Sequence, residues 1–471
     1  MKFDSVKAIE NYYSHFQNWS LESIYKHIKK EFPEVIINTN KGAAGQVLEG
    51  LVGNSPNSNP NPDIGYLGLE LKALPIRKVG NAYQPKERSK IKSINYNQII
   101  EEEWVNSNLK NKLDKVLFLI YEHPIGKSYK DWKEFKFKYT LLYELESESP
   151  SVVQEDWEGI KYKVKSDKAD ELSEGDSTIL GASTSGSGKP VKYGNNKSAK
   201  PRSYSLKHSY LKNFYDRKVK RKKYYSLEIS KDLKTEDYLI EKINHHLEGK
   251  TLDSIGEEYD VTFSKSSKSS FRFLINQLLG FSSNQNILDI DLKGIEIKTV
   301  PVNSNYNLWE AMSFPKFSLV DLLDEEWDGE IDSVFRNLIS KTFIFIPVIK
   351  EKIKVKAGTK PKFKHWKTWK IGRSVVWKAS NEEMSIIKKE WEFVKRQIET
   401  GIEVKSKKHG EGYRQENNLL KSSQSQIIHV RPHAKDSNDI DIPFFEYTEE
   451  KIRISWQSFW LNKKFIAAKL K

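Results

Sequence analysis

The stretch Pro62-Asp63-Ile64-Gly65-Tyr66-Leu67-Gly68-Leu69-Glu70-Leu71-Lys72-Ala73-Leu74-Pro75 decides how the chain is read. It is a turn followed by a short strand. Strand side chains alternate faces, so Glu70 and Lys72 share one face while Leu69, Leu71 and Ala73 point to the core. Asp63 lies seven residues before Glu70, in the turn. Two carboxylates meeting from a turn and a strand suit Mg²⁺, which takes oxygen ligands from one or two carboxylates and keeps several waters. A lysine beside such an ion can orient or deprotonate a water for attack on phosphorus. A single Glu-x-Lys is more often a chance charge pair on a solvated face. Here the arrangement returns as Asp289-Ile290-Asp291-Leu292-Lys293-Gly294-Ile295-Glu296-Ile297-Lys298-Thr299-Val300-Pro301. The spacing of Asp289, Glu296 and Lys298 repeats that of Asp63, Glu70 and Lys72, and the Gly and Pro positions match. Chance alternation does not reproduce the flanks.

Other segments repeat in the same order. Thr251-Leu252-Asp253-Ser254-Ile255 echoes Ser20-Leu21-Glu22-Ser23-Ile24, a helix start with Ser20 as N-cap. Phe273 to Gly280 echoes Val47 to Gly53, a helix that carries Glu49. Asn337-Leu338 before the apolar run Thr342 to Ile346 echoes Lys112-Leu113 before Val116-Leu117-Phe118-Leu119-Ile120-Tyr121, which reads as a buried strand. Phe459 to Phe465 echoes Tyr204 to Tyr210. The period is far too long for a solenoid, so this is a domain duplication. Expected boundaries are 1–220 for the first copy, 221–234 for a basic linker and 235–471 for the second. Asn276 stands opposite Glu49 and Asn337 opposite Lys112, so the second copy is read as having lost one acid and one lysine of the wider site. The first copy is therefore expected to be catalytic and the second to bind DNA or regulate.

Composition narrows the class. The 471 residues include no cysteine, which excludes disulfides and thiolate metal sites and suits a reducing cytoplasm. No window has the apolar length of a membrane span, and no signal peptide is read at the start. The net charge of +14 is spread along a chain with 12 Trp, 22 Tyr and 22 Phe. A folded basic protein of this kind most readily meets a polyanion, with nucleic acid the first candidate. The glycine-rich turn Lys41-Gly42-Ala43-Ala44-Gly45 lacks the Gly-Lys-Ser/Thr ending of a phosphate loop. Pro201-Arg202-Ser203-Tyr204-Ser205-Leu206-Lys207-His208-Ser209-Tyr210 interleaves cations, hydroxyls and aromatics, a composition suited to phosphate and base-edge contacts.

These residues resemble the MutH-like branch of the PD-(D/E)xK nucleases, which holds GATC-specific mismatch-repair nicking enzymes and Sau-type GATC restriction enzymes. The resemblance rests on Leu48-Glu49, Asp63, Leu67-Gly68-Leu69-Glu70-Leu71-Lys72 with Pro75, and Lys112-Leu113 ahead of Val116-Leu117-Phe118. In the second copy it rests on Ile427-Ile428-His429-Val430-Arg431-Pro432-His433-Ala434, similar to the family's DNA-reading strand and Arg-Pro turn, and on the segment with Lys463 and Lys464. Leu172 to Asp176 with Leu180 to Gly186 resembles the restriction-enzyme version of that turn, without the lysine often found near Ser185.

The resemblance implies an α/β fold of two tandem restriction-endonuclease-like domains, each a mixed β-sheet flanked by helices. It implies Mg²⁺-dependent double-strand cleavage at GATC, leaving 5′-phosphates, with Asp63 and Glu70 as metal ligands and Glu49, Lys72 and Lys112 completing the catalytic set. Ser183, Thr184, Ser185, Arg202, Tyr204, Ser205, Lys207 and Ser209 are expected to contact DNA in the first copy, and Arg431, Pro432, His433, Lys463 and Lys464 in the second. Asp289, Glu296 and Lys298 would form a pseudo-site in a copy that binds a second GATC as effector. The partner is double-stranded DNA, the protein a monomer or DNA-induced dimer. A cognate methyltransferase would protect the host without needing to bind the enzyme. The alternatives are a MutH-like nickase and a DNA-binding protein without catalysis.

Overall fold

The apolar run 116–121 forms the centre of the first sheet. In the computed structural model it lies in β4 (Lys115–Glu122), where residues 116–121 are all buried. The strand that begins at Glu70, β1 (Glu70–Val79), pairs with it in parallel, Glu70 opposite Val116. With β2 (Ala82–Pro85) and β5 (Lys136–Glu144) the order is β2-β1-β4-β5, the β2-β1 and β4-β5 pairings being antiparallel. Both faces of the parallel pair are covered, as such strands require. Leu71, Leu117 and Leu119 pack on one side with helices Val6–Ser14, Leu21–Glu31 and Ala43–Gly50. Phe118 and Tyr143 pack on the other against Phe214 of helix His208–Lys218. Ser20 caps its helix by accepting the Ser23 amide at 3.2 Å.

A second, three-stranded antiparallel sheet holds β3 (Ser89–Ser93) and β6 (Leu180–Thr184) on either side of β9 (Arg202–Leu206). Between β6 and β9 the short hairpin of β7 (Val191–Tyr193) and β8 (Lys197–Ala199) projects.

The later half of the chain repeats this plan. Strand Ile295–Val302 pairs in parallel with Thr342–Ile349, Glu296 opposite Phe343. Strand Gln457–Leu461 lies between Met312–Phe317 and Ile428–Pro432, the same order of first, last and middle segments. The repeat extends to single residues. Gly68 and Gly294, each two before its Glu, have φ of +60° and +61°. That left-handed conformation carries no penalty in glycine and is disfavoured by a Cβ.

The structure describes residues 2–38, 42–55, 59–185, 189–194, 197–230, 233–263, 268–282, 285–329, 333–353, 362–409, 412–435, 439–445 and 450–471. Lys41, part of the loop before Pro62, and Gly186 to Gly188 lie outside them. Among the described residues no helix is long and apolar enough to cross a membrane.

The chain forms two compact units, but not as two contiguous halves. The first is Met1–Val219 with Leu319–Asn337, and the second is Lys220–Ser318 with Leu338–Lys471. The excursion 319–337 is acidic, and polar contacts fasten it within the first unit. Asp321 accepts the Gly126 amide at 3.1 Å and faces Arg77 at 3.7 Å. Asp324 accepts the Tyr129 amide at 2.8 Å and the Ser128 hydroxyl at 3.1 Å. Arg336 faces Glu174 at 3.5 Å, beside the tighter Arg88–Glu174 pair at 2.6 Å. Nothing in the sequence pattern marks this exchange, because the segment keeps its place in the order of the repeat.

Candidate active site

Glu70 is the first residue of β1 and its side chain is fully buried. A carboxylate so placed needs cations close by. Lys72, two residues along the same face, reaches it at 2.8 Å. Lys112, on helix Asn108–Leu113 just before β4, donates to both carboxylate oxygens at 2.9 and 2.8 Å. The parallel pairing of β1 with β4 places these elements side by side.

Two more acids share this environment. Asp63, in the turn before β1, accepts the Leu71 amide at 2.9 Å. Glu49 comes from helix Ala43–Gly50, which packs on β1. Burial raises the Asp63 pKa, and the Glu70 charge adds to it. Burial raises Glu49 to about 7; Lys72 counters this, while Asp63 and Glu70 push further upward. For Lys72, burial works to lower the pKa, but Glu49, Glu70 and Asp63 outweigh it and the ammonium is held charged. The first unit thus sets Glu49, Asp63, Glu70, Lys72 and Lys112 within one another's electrostatic field.

Three carboxylates and two ammoniums leave an excess of negative charge in dry surroundings; burial first, and then the charges of Asp63 and Glu70, raise Glu49. A hard divalent cation relieves such an excess, and carboxylate oxygens are the donors it prefers. Among the described residues no group of three acids or histidines closes around one position. Mg²⁺ is usually held by one or two carboxylates, with waters and phosphate oxygens supplying the rest. Asp63 and Glu70 fit that donor set.

The second unit places its matching residues differently. Asp289 accepts the Leu227 amide at 2.7 Å. Asn276 donates to the carbonyls of Ser282 and Gln285, at 3.1 and 2.9 Å, and so ties down the loop after its own helix. Glu296 is paired with Lys298 at 3.0 Å and with Lys341 at 2.6 Å. Burial would raise its pKa, but Lys341 and then Lys298 outweigh this and hold it at about 2. The expectation that this copy lacks a second lysine is therefore corrected. Lys341, directly before strand Thr342–Ile349, reaches the glutamate that Asn337 does not. A basic residue at the lead-in of the parallel strand was the available signal, and matching Asn337 to Lys112 by position in the sequence concealed it. Glu296 is thus paired with two cations, as Glu70 is in the first unit.

The expected DNA contacts divide between surface and interior. In the first unit, Ser183, Thr184, Tyr204 and Ser205 are buried in the sheet, where the Ser183 and Ser205 hydroxyls bond each other. Arg202 donates to the Ala182 carbonyl at 2.8 Å, and Lys207 to the Ser177 and Glu174 carbonyls at 2.6 and 2.9 Å. Ser185 and Ser209 are half-buried. These side chains brace the β6–β9 sheet and the turns around it. In the second unit, Arg431, Pro432, His433, Lys463 and Lys464 are exposed. Arg431 lies over the Trp460 ring at 5.2 Å, and His433 bonds the Ser458 hydroxyl at 2.8 Å. Pairing of β6 with β9 and of Ile428–Pro432 with Gln457–Leu461 puts Ser183 and Arg431 at equivalent positions.

The chain is similar in sequence to known proteins. A family model described as DNA mismatch repair enzyme MutH matches residues 52–156, which contain Asp63, Glu70, Lys72 and Lys112. The type II restriction enzyme Sau3AI of Staphylococcus aureus is 26% identical over 474 residues, spanning 91% of this chain and 92% of that protein. The DNA mismatch repair protein MutH of Pasteurella multocida (strain Pm70) is 26% identical over 137 residues, 29% of this chain and 59% of that protein. The protein of that name from Vibrio campbellii (strain ATCC BAA-1116) is 28% identical over 137 residues, 29% of this chain and 58% of that protein.

Proposed function

From the premise that the chain is a MutH-like nuclease, homologous to a type II restriction enzyme, we propose that it cuts both strands of DNA at GATC with Mg²⁺. The observation that carries this reading is the fully buried Glu70, held by Lys72 and Lys112 beside Asp63 and Glu49. Asp63 and Glu70 would hold the ion, which would polarise the scissile phosphate and lower the pKa of a water. Lys72 orients the attacking water, Lys112 fixes the Glu70 carboxylate, and Glu49 supports the acid cluster. In-line attack then leaves a 5′-phosphate and a 3′-hydroxyl.

The second unit, with Glu296 neutralised by Lys341 and Lys298, binds a further GATC as effector through Arg431, Pro432, His433, Lys463 and Lys464. The near full-length match to a restriction enzyme favours this over a mismatch-repair nickase, whose relatives match only 29% of the chain. Linear DNA carrying GATC sites, incubated with Mg²⁺, tests the reading. The expected products are fragments ending at GATC with 5′-phosphates on both strands. Nicks in one strand would instead support the nickase, and uncut but protein-bound DNA would leave a binding protein.

A further inference from the structure

Four cations alternate along the segment that enters and forms β3: Lys86, Arg88, Lys90 and Lys92. Three have partners within the first unit. Lys86 donates to the Tyr129 hydroxyl at 3.0 Å, Arg88 pairs with Glu174 at 2.6 Å, and Lys90 donates to the Gly329 carbonyl at 3.0 Å. Lys92 is half-buried, and its ammonium makes no hydrogen bond or ion pair with the described residues.

The backbone sets Lys92 apart from the other three. Pairing with β9 runs from Lys90 opposite Ser205 to Lys92 opposite Tyr204, so one extra residue, Ile91, is inserted as a bulge. Bulges bend a strand and re-aim the side chains that follow. Beyond this one, β3 packs against helix Asn108–Leu113, which carries Lys112, and against β1, which carries Glu70 and Lys72. Lys92 consequently sits in the field of Glu70 and Lys112 as well as Glu102, and burial lowers its pKa. Both Glu70 oxygens are already engaged by Lys72 and Lys112. A half-buried ammonium left over at such a place loses hydration without gaining a partner, and an incoming phosphodiester supplies one.

We propose that Lys92 binds a backbone phosphate of the DNA next to the scissile one, joining the active site to the β3-β9-β6 sheet. This rests on the nuclease reading above. It makes Lys92 a binding residue that sets the position of the strand against Glu70, a role no sequence motif marks.

The test measures binding of a short GATC duplex by fluorescence anisotropy, with Ca²⁺ in place of Mg²⁺ to keep the DNA whole, between about 50 and about 200 mM salt. One lost phosphate contact lowers the slope of log affinity against log salt by about 0.9. Lys92→Ala and Lys92→Gln are expected to bind about 10-fold more weakly with that smaller slope, and Lys92→Arg to keep both affinity and slope. Wild-type slope and affinity in Lys92→Ala would overturn the proposal. So would equal weakening in all three variants at an unchanged slope, which would mark a structural role. If the wild-type protein does not bind the duplex at all, the nuclease reading itself fails, and the proposal falls with it for that separate reason.

Discussion

Glu70 shows how one buried carboxylate organises chemistry. Its two lysines reach it from different elements, Lys72 along the strand and Lys112 from the helix before β4. They are expected to have different work. Lys72 is near-neighbour to three acids and is expected to act on the attacking water, so Lys72→Ala should slow single-turnover cleavage about 10²-fold or more, with DNA binding changed only a few-fold. Quenched-flow cleavage and anisotropy measured together check the split; equal losses in both would show Lys72 to be a binding residue instead. Gly68 belongs to the same scale. At φ +60° with no atom within 4 Å of an added Cβ, its constraint is purely conformational. Gly68→Ala should cost about 1–2 kcal/mol in stability, read by denaturant unfolding. A neutral or stabilising outcome would remove that account. Much of this centre was legible beforehand. Asp, Gly, Glu, Lys and Pro recur at fixed spacing in both copies, and a spacing reports the turn and strand that produce it. Lys341 was not legible, because a long side chain can reach the same carboxylate from a different backbone position. Nor was the interior placement of Ser183 and Ser205, since hydroxyls that brace a sheet and hydroxyls that meet DNA have the same composition.

Among elements, the parallel strand pair repeats more faithfully than anything packed around it. Apolar runs announce buried strands, and β4 and Thr342–Ile349 were read from their sequences alone. The segment 319–337 was not, because an acidic stretch reads as solvent-facing until the cations that receive it are seen. Its Glu325 is buried and accepts the Val334 amide at 3.0 Å. Burial raises its pKa to about 7, against the pull of Lys86 and Arg77. The sign follows from linkage: the folded state keeps a proton that the unfolded chain releases near pH 4.5. Stability from this group is therefore fully present below pH 4.5 and is lost as pH rises from there through about 7. Glu325→Gln keeps an acceptor for the Val334 amide and removes the buried charge. It should raise Tm at pH 8 and leave Tm near pH 5 within about 1 °C of wild type, flattening that part of the pH–stability curve. Calorimetry across this range checks it, and a lower Tm at pH 8 would show that the ionised form is the one the fold favours.

At the scale of the molecule, a duplicated fold has been given two different electrostatic centres. One sets Asp63 and Glu49 in the field of Glu70. The other pairs its strand glutamate, Glu296, with Lys298 and Lys341. The net charge of +14 lets either unit meet DNA, so charge does not separate their roles. The local balance of acids and lysines does. The most direct measurement is therefore a digest of a plasmid with several GATC sites in Mg²⁺, comparing wild type with Glu70→Ala and Glu296→Ala. The account predicts that wild type cuts at GATC, that Glu70→Ala leaves the plasmid uncut, and that Glu296→Ala still cuts. An inactive Glu296→Ala beside an active Glu70→Ala would contradict it and move the chemistry to the second unit.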